Sequence, residues 1–204
     1  MQSSNPFKYF HFTPLKNSDL TGVPFASDSF HPNRIKQYKI SVRTRLVYIV
    51  ELFNYDGYTF LKFHPKIHDS NPERYQITDI GLKFGEIRKL LNTCCRIVLN
   101  EIEKQDNTTT VYSFFGQWYN KDNQLQRLSA KRFSLYEKQV TTFFSNENFF
   151  HFKQKEINLY CLCSTKNTLF EDQVLQLLDK LTVNNDFIAQ FMTDKAKELY
   201  LSFD

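Results

Sequence analysis

Glycine and proline are scarce in this chain, with 5 Gly and 6 Pro among 204 residues. A sandwich of many short strands consumes more turn residues than that, which argues against a loop-dense all-β architecture. The same shortage leaves no Gly-rich loop to cradle a nucleotide. No apolar run approaches the roughly 18–20 residues that cross a bilayer as a helix. The start, Met1-Gln2-Ser3-Ser4-Asn5-Pro6, lacks the charged-then-apolar plan of a signal peptide. The expectation is a cytoplasmic protein with no membrane partner. Its four cysteines are then expected to be reduced. Cys94 and Cys95 are adjacent, and one residue separates Cys161 from Cys163, so neither pair has the spacing of a zinc knuckle. They read as core thiols.

Aromatic residues, by contrast, are plentiful. The chain has 21 Phe and 11 Tyr, and 41% of it is hydrophobic. Each buried ring removes roughly 150–250 Å² from water, so global disorder is excluded. The length suits one domain of about 100–200 residues. The net charge of +4 is unevenly placed. Residues 1–50 hold Lys8, Lys16, Arg34, Lys36, Lys39, Arg43 and Arg45 against Asp19 and Asp28, a local balance of +5 that leaves −1 for the rest. Such asymmetry suggests an acidic partner, most commonly nucleic acid.

Residues 1–36 show no clean period, because rings from Phe7 to Phe30 are spread among Pro6, Pro14, Pro24 and Pro32. They read as an extended, irregular basic and aromatic arm before a body spanning 37–204. From Tyr38 the pattern turns to strand. Ile40, Val42 and Leu46–Phe53 are β-branched and aromatic. Asn54-Tyr55-Asp56-Gly57 is a turn signal, and Tyr58–Phe63 returns as the second arm of a hairpin with Gly57 wanting φ > 0. Tyr75–Thr78 is a candidate short strand. Asp79 is a candidate N-cap for a helix whose apolar stripe is Ile87, Leu90, Leu91, Cys94, Val98 and Ile102, ending at Asp106-Asn107. Thr109–Phe115 reads as a central strand. A second helix is expected over about 129–145, with the stripe Phe133, Tyr136, Val140, Phe143 and Phe144. Glu156–Cys163 alternates as a last strand, and two helices close the chain over about 168–204. The fold class is α+β: a mostly antiparallel sheet of about four to five strands, two helices on one face and a C-terminal helical hairpin.

Two stretches could meet an anion. Ser129-Ala130-Lys131-Arg132-Phe133 places a capping serine and two cations at an expected helix start, where free amides receive phosphate or carboxylate. Cations there oppose the helix dipole. The alternative is that Lys131 and Arg132 point into water or pair with nearby carboxylates. The arm and the first strands interleave cations with rings, as in Lys8-Tyr9-Phe10-His11-Phe12 and Arg34-Ile35-Lys36-Gln37-Tyr38-Lys39. Single-stranded nucleic acid is held by that combination, with base stacking contributing about 1–3 kcal/mol per base. Equally, the rings could be core anchors, or they could insert into a protein partner.

The order strand–helix–strand–loop–helix from Leu46 to Phe144 resembles a family of small uncharacterised bacterial domains. The resemblance rests on the helix at Glu86–Glu103, the aromatic strand Val111–Gly116 and the basic segment Ser129–Tyr136, and the loop before Ser129 is longer here. It implies that the basic segment ending in Tyr136 sits at a functional edge. The hairpin Val47–Phe63 before a helix is similar to one repeat of the PUR nucleic-acid-binding fold.

The histidines do not make a metal site. Pro65 lies between His64 and His68 and breaks any helix aligning them, while His11, His31 and His151 lack a carboxylate at ligand spacing. No His-Glu-x-x-His run or Gly-x-Ser-x-Gly elbow is present. No cofactor is expected. The sequence thus points to a non-enzymatic binding module for an acidic partner, nucleic acid foremost. Its cations would be Lys36, Lys39, Arg43, Arg45, Lys131 and Arg132, with Ser129 at the anion and Tyr38 and Tyr136 as stacking rings. The alternatives are a protein-interaction subunit or homo-oligomer using the aromatic arm, and a ribonuclease-like enzyme without a motif.

Overall fold

Strands form where β-branched and aromatic residues cluster, and helices where apolar residues return every three or four. The computed structural model describes residues 8–19, 32–71, 74–75, 81–105, 109–115, 123–154 and 158–183. In chain order these give strands β1 (Phe12–Asp19), β2 (Arg34–Arg43), β3 (Leu46–Tyr55) and β4 (Tyr58–Pro65), then helix α1 (Phe84–Gln105). Strand β5 (Val111–Phe115), helix α2 (Asn123–Phe143), strands β6 (Phe149–Gln154) and β7 (Leu159–Ser164), and helix α3 (Phe170–Val183) complete them. The strands make one seven-stranded sheet in the order β1-β2-β3-β4-β5-β7-β6. Every neighbouring pair is antiparallel except β4 and β5.

The alternation of strand side chains sorts residues onto two faces. On the first face lie Tyr38, Ile40, Tyr48, Val50, Leu52, Tyr112, Tyr160 and Leu162, packed with Leu90, Cys94, Ile97 and Val98 of α1 and Phe133, Val140 and Phe144 of α2. On the second, Tyr58, Phe60, Val111, Leu159, Cys161 and Cys163 pack against Phe170, Val174, Leu177 and Leu178 of α3. All four thiols are buried in these layers.

The β3–β4 hairpin is as expected. Tyr55 faces Tyr58 across Asp56-Gly57, and Gly57 takes φ +77°, which glycine adopts without strain. A Cβ there would also lie 3.2 Å from Gln173 Nε2 of α3. β5 is interior to the sheet, as its two apolar faces predict.

Other expectations need correcting. The sheet has seven strands rather than about four to five, and the parallel pairing of β4 with β5 makes it a mixed sheet. Part of the supposed irregular arm is the edge strand β1, in which Phe12 pairs with Ile40 and Asn17 with Lys36. The preceding residues are docked too: Phe10 N–H donates to Thr93 Oγ1 (2.9 Å), and Asn92 donates to the Lys8 carbonyl (3.1 Å). Strand β6 was missed. Helix α1 begins at Phe84 because Glu86 reaches back to accept the Lys83 N–H (2.8 Å), the reciprocal half of a capping box. Asp79, Gln76–Thr78 and the final helix lie outside the described residues. Helix α2 begins at Asn123, and Leu125 and Leu128 continue its apolar spacing upstream. Ser129 is therefore inside the helix and is not its N-cap.

Candidate functional site

Of the cations chosen from the sequence, the four with described side chains, Lys36, Lys39, Arg43 and Arg45, do not gather on one face. Lys36 and Tyr38 lie on the helix-covered face of β2 and both donate to Glu101 of α1, Tyr38 at 2.7 Å. Glu101 is 4% exposed. Burial would raise its pKa, but Lys36 and Tyr38 outweigh that and lower it. Lys36 thus neutralises a buried anion, and the Tyr38 ring is core. Arg43 makes a two-pronged pair with Glu86, its Nε donating at 2.6 Å, and that hydrogen bonding holds Glu86 down at about 2. Tyr136 packs on Phe63 (6.0 Å) and Phe114 (6.3 Å) between sheet and helix. Lys39 lies on the opposite face from Lys36, and Arg45 is exposed in the β2–β3 turn. Ser129, Lys131 and Arg132 belong to α2, with side chains outside those described.

A polar constellation that the sequence reading overlooked sits on the second face. Glu51, in the middle of β3, is 3% exposed. It accepts hydrogen bonds from Gln37 Nε2 of β2 (2.7 Å) and from the Tyr75 hydroxyl. The buried His64 ring of β4 brings Nε2 to 3.5 Å from Glu51 Oε2 and 3.6 Å from Asp69 Oδ1, with Nδ1 3.1 Å from the Pro65 carbonyl. Arg74 stands 3.9 Å from the same carboxylate and 4.6 Å over the Tyr75 ring. Lys62 lies 5.1 Å over Phe53 and 5.0 Å over Tyr75. Burial pushes the Glu51 carboxyl up, but contacts with His64, Tyr75 and Gln37 prevail and bring it to about 2. A carboxylate that weakly basic is a poor proton acceptor at neutral pH. The cluster fastens Asp69, Arg74 and Tyr75 to the sheet.

Nucleophiles fare no better. Burial pushes Cys94 well up, and Cys95, Cys161 and Cys163 up to about 12, whereas a reactive thiol needs the opposite shift. Among the described residues no group of His, Cys, Asp and Glu is placed to hold a metal ion. No helix there is long and apolar enough to cross a membrane.

The two edges of the sheet are the remaining surfaces of note. β1 contains Pro14, a register irregularity between Pro14 and Asn17, and the exposed Lys16. Proline, bulges and lysine are the devices that keep an edge from pairing with another strand. β6, with the sequence Phe149-Phe150-His151-Phe152-Lys153-Gln154, runs in unbroken register along β7 and has no proline. Its outer side has no strand neighbour among the described residues. Phe150 is 44% exposed and stacks on Phe170 at 5.7 Å, next to Leu169, which is 54% exposed. Exposed Phe150 and Leu169 thus lie together beside this edge.

No family model matches the chain, and neither a curated protein nor a solved structure is significantly similar to it. The functional reading therefore rests on geometry.

Proposed function

We propose that this protein is a binding module that engages another protein, with the β6 edge as its contact surface. The observation carrying this is the regular β6 edge without proline or bulge, flanked by exposed Phe150 and Leu169. Main-chain groups on such an edge supply affinity by strand addition, and alternate side chains supply specificity. Phe150 and Leu169 offer the apolar anchor that protein contacts favour. Selection of displayed random segments of about eight residues tests the reading. Enriched segments should protect the amides of Phe149–Gln154 from hydrogen exchange and lose binding on Phe150→Asp. Enrichment no greater than background, or protection confined to Phe12–Asp19, would overturn it.

A second reading, nucleic-acid binding, is favoured by Lys39 and Arg45, which have no carboxylate partner among the described residues. They would supply phosphate contacts. Affinity for single strands should then fall with a log–log salt slope of about −0.7 per phosphate neutralised. Salt-insensitive binding removes this reading.

A further inference from the structure

Charge around the β6 edge restricts what can dock there. Glu147 is exposed in the turn that leads into β6, and Glu171 and Asp172 are exposed in the first turn of α3, directly after Leu169 and Phe170. None of the three carboxylates has an ion-pair partner among the described residues. Glu171 and Asp172 complement the helix dipole, but Glu147 has no such role. Against these stands the exposed Lys166. Lys153 is occupied on the opposite face by Glu137 of α2, at 3.0 Å. Among the described residues the margin of the Phe150–Leu169 patch is thus acidic, on a chain whose overall charge is +4.

We propose that the occupant of the β6 edge is an extended segment of another protein that carries both apolar residues and Lys or Arg at every second position, so that the two kinds of side chain share one face. The inference rests on the strand-docking reading above and adds the partner's chemistry. Added as an eighth strand, such a segment sets its main chain on the outer N–H and C=O groups of β6. On the face that carries α3, its apolar side chains land on Phe150 and Leu169, and its cations, two or four residues away along the same face, reach Glu147, Glu171 and Asp172. A second copy of the chain is disfavoured at this edge, because a two-fold pairing of β6 with itself would bring like-charged margins together.

The experiment uses the full chain and two labelled peptides of about eight residues, one with Val and Lys taking turns at every second position and Ser between them, the other with Glu in place of Lys. Binding is followed by fluorescence anisotropy, and hydrogen exchange reports on Phe149–Gln154. The Lys–Val peptide should bind at least about tenfold more tightly than the Glu–Val peptide. Its affinity should fall as salt rises and be lost on Phe150→Asp, and β6 amides should be protected. Glu171→Lys combined with Asp172→Lys should reverse the peptide preference; Glu147→Lys alone provides a milder version should the double variant fail to fold. Equal binding of both peptides at β6 overturns the charge inference and leaves strand docking standing. Binding of neither peptide, without protection of β6, overturns both. Self-association at micromolar concentration that Phe150→Asp abolishes would make a second copy the occupant, which also overturns the proposal.

Discussion

The two edges of the sheet follow opposite strategies. β1 is rich in obstacles: a proline, a register irregularity, an exposed lysine, and chain on its N-terminal side tied to α1 through Thr93 and Asn92. β6 has ring after ring, an even register and no obstacle beyond Lys153, which α2 holds on the other face. A sheet that blunts one edge and leaves the other pairable has a direction. On the proposed reading, contact is discouraged at β1 and invited at β6.

The contrast can be broken most sharply at Phe170, which is 5% exposed beneath Phe150. Phe170→Ala should cost about 3–5 kcal/mol in chemical denaturation. Substituting half-buried Phe12 on the mostly exposed β1, as Phe12→Ala, should cost only about 1–2 kcal/mol. Equal losses would mean that the edges are built alike.

Next comes Glu51→Gln, which exchanges the acceptor shared by Gln37, Tyr75, His64 and Arg74 for an amide. About 2–3 kcal/mol should be lost, and exchange should speed up at Arg74 and Tyr75 while β6 is untouched. The pH dependence gives a second reading of the same residue. The folded pKa of about 2 lies below the ordinary 4.5, so the stabilisation is complete above about pH 4.5 and disappears as pH falls towards 2. The stability gap between the wild type and Glu51→Gln should therefore be constant near neutrality and narrow through that acid window. A gap independent of pH would contradict the ionised network.

Lys36→Met removes a cation while keeping most of its stem, leaving Glu101 with Tyr38 and Lys104. Melting should fall by an amount equivalent to about 1–2 kcal/mol, and affinity for single-stranded nucleic acid should be unchanged. A drop in that affinity without a drop in stability would restore Lys36 to a binding role. Smallest of all in stability are Leu15→Asp and Phe150→Asp, each within about 1 kcal/mol. Only the second should weaken capture of the Lys–Val peptide.

How much of this could be read from the chain depended on whether the signal was local. Asp56-Gly57 between two β-branched runs fixes a hairpin within a dozen residues, and the structure has it. The stripe from Ile87 to Ile102 likewise becomes α1. β6 escaped notice because Phe149, Phe150 and Phe152 follow so closely on Phe143 and Phe144 that the helical stripe runs visually into the strand. Pro14 and Asn17 interrupt the alternation of β1 at its irregular register. Ser129 imitates a helix cap, but spacing from Leu125 onward carries the helix past it. The fate of the cations was illegible for a different reason. Lys36 meets Glu101 across 65 residues of chain and Arg43 meets Glu86 across 43, so neutralisation is a property of the tertiary structure. For the Glu51 cluster one clue did exist: a carboxylate in the centre of the run Val47-Tyr48-Ile49-Val50-Glu51-Leu52-Phe53 must find partners or be expelled.

The pairing of β4 with β5 has a consequence for how the chain reaches its native state. That seam joins two antiparallel groups, β1 to β4 and β5 with β7 and β6, and its register runs only from Tyr58–Val111 to Phe60–Ser113. The first group zips up through near neighbours, whereas the seam has to wait for α1 to carry the chain back across the sheet. Closing so long a loop costs entropy before any bond repays it. The meander should therefore assemble early and the seam close late, with Gly57, whose carbonyl accepts the Val111 N–H at 2.9 Å, as the clasp that joins the halves.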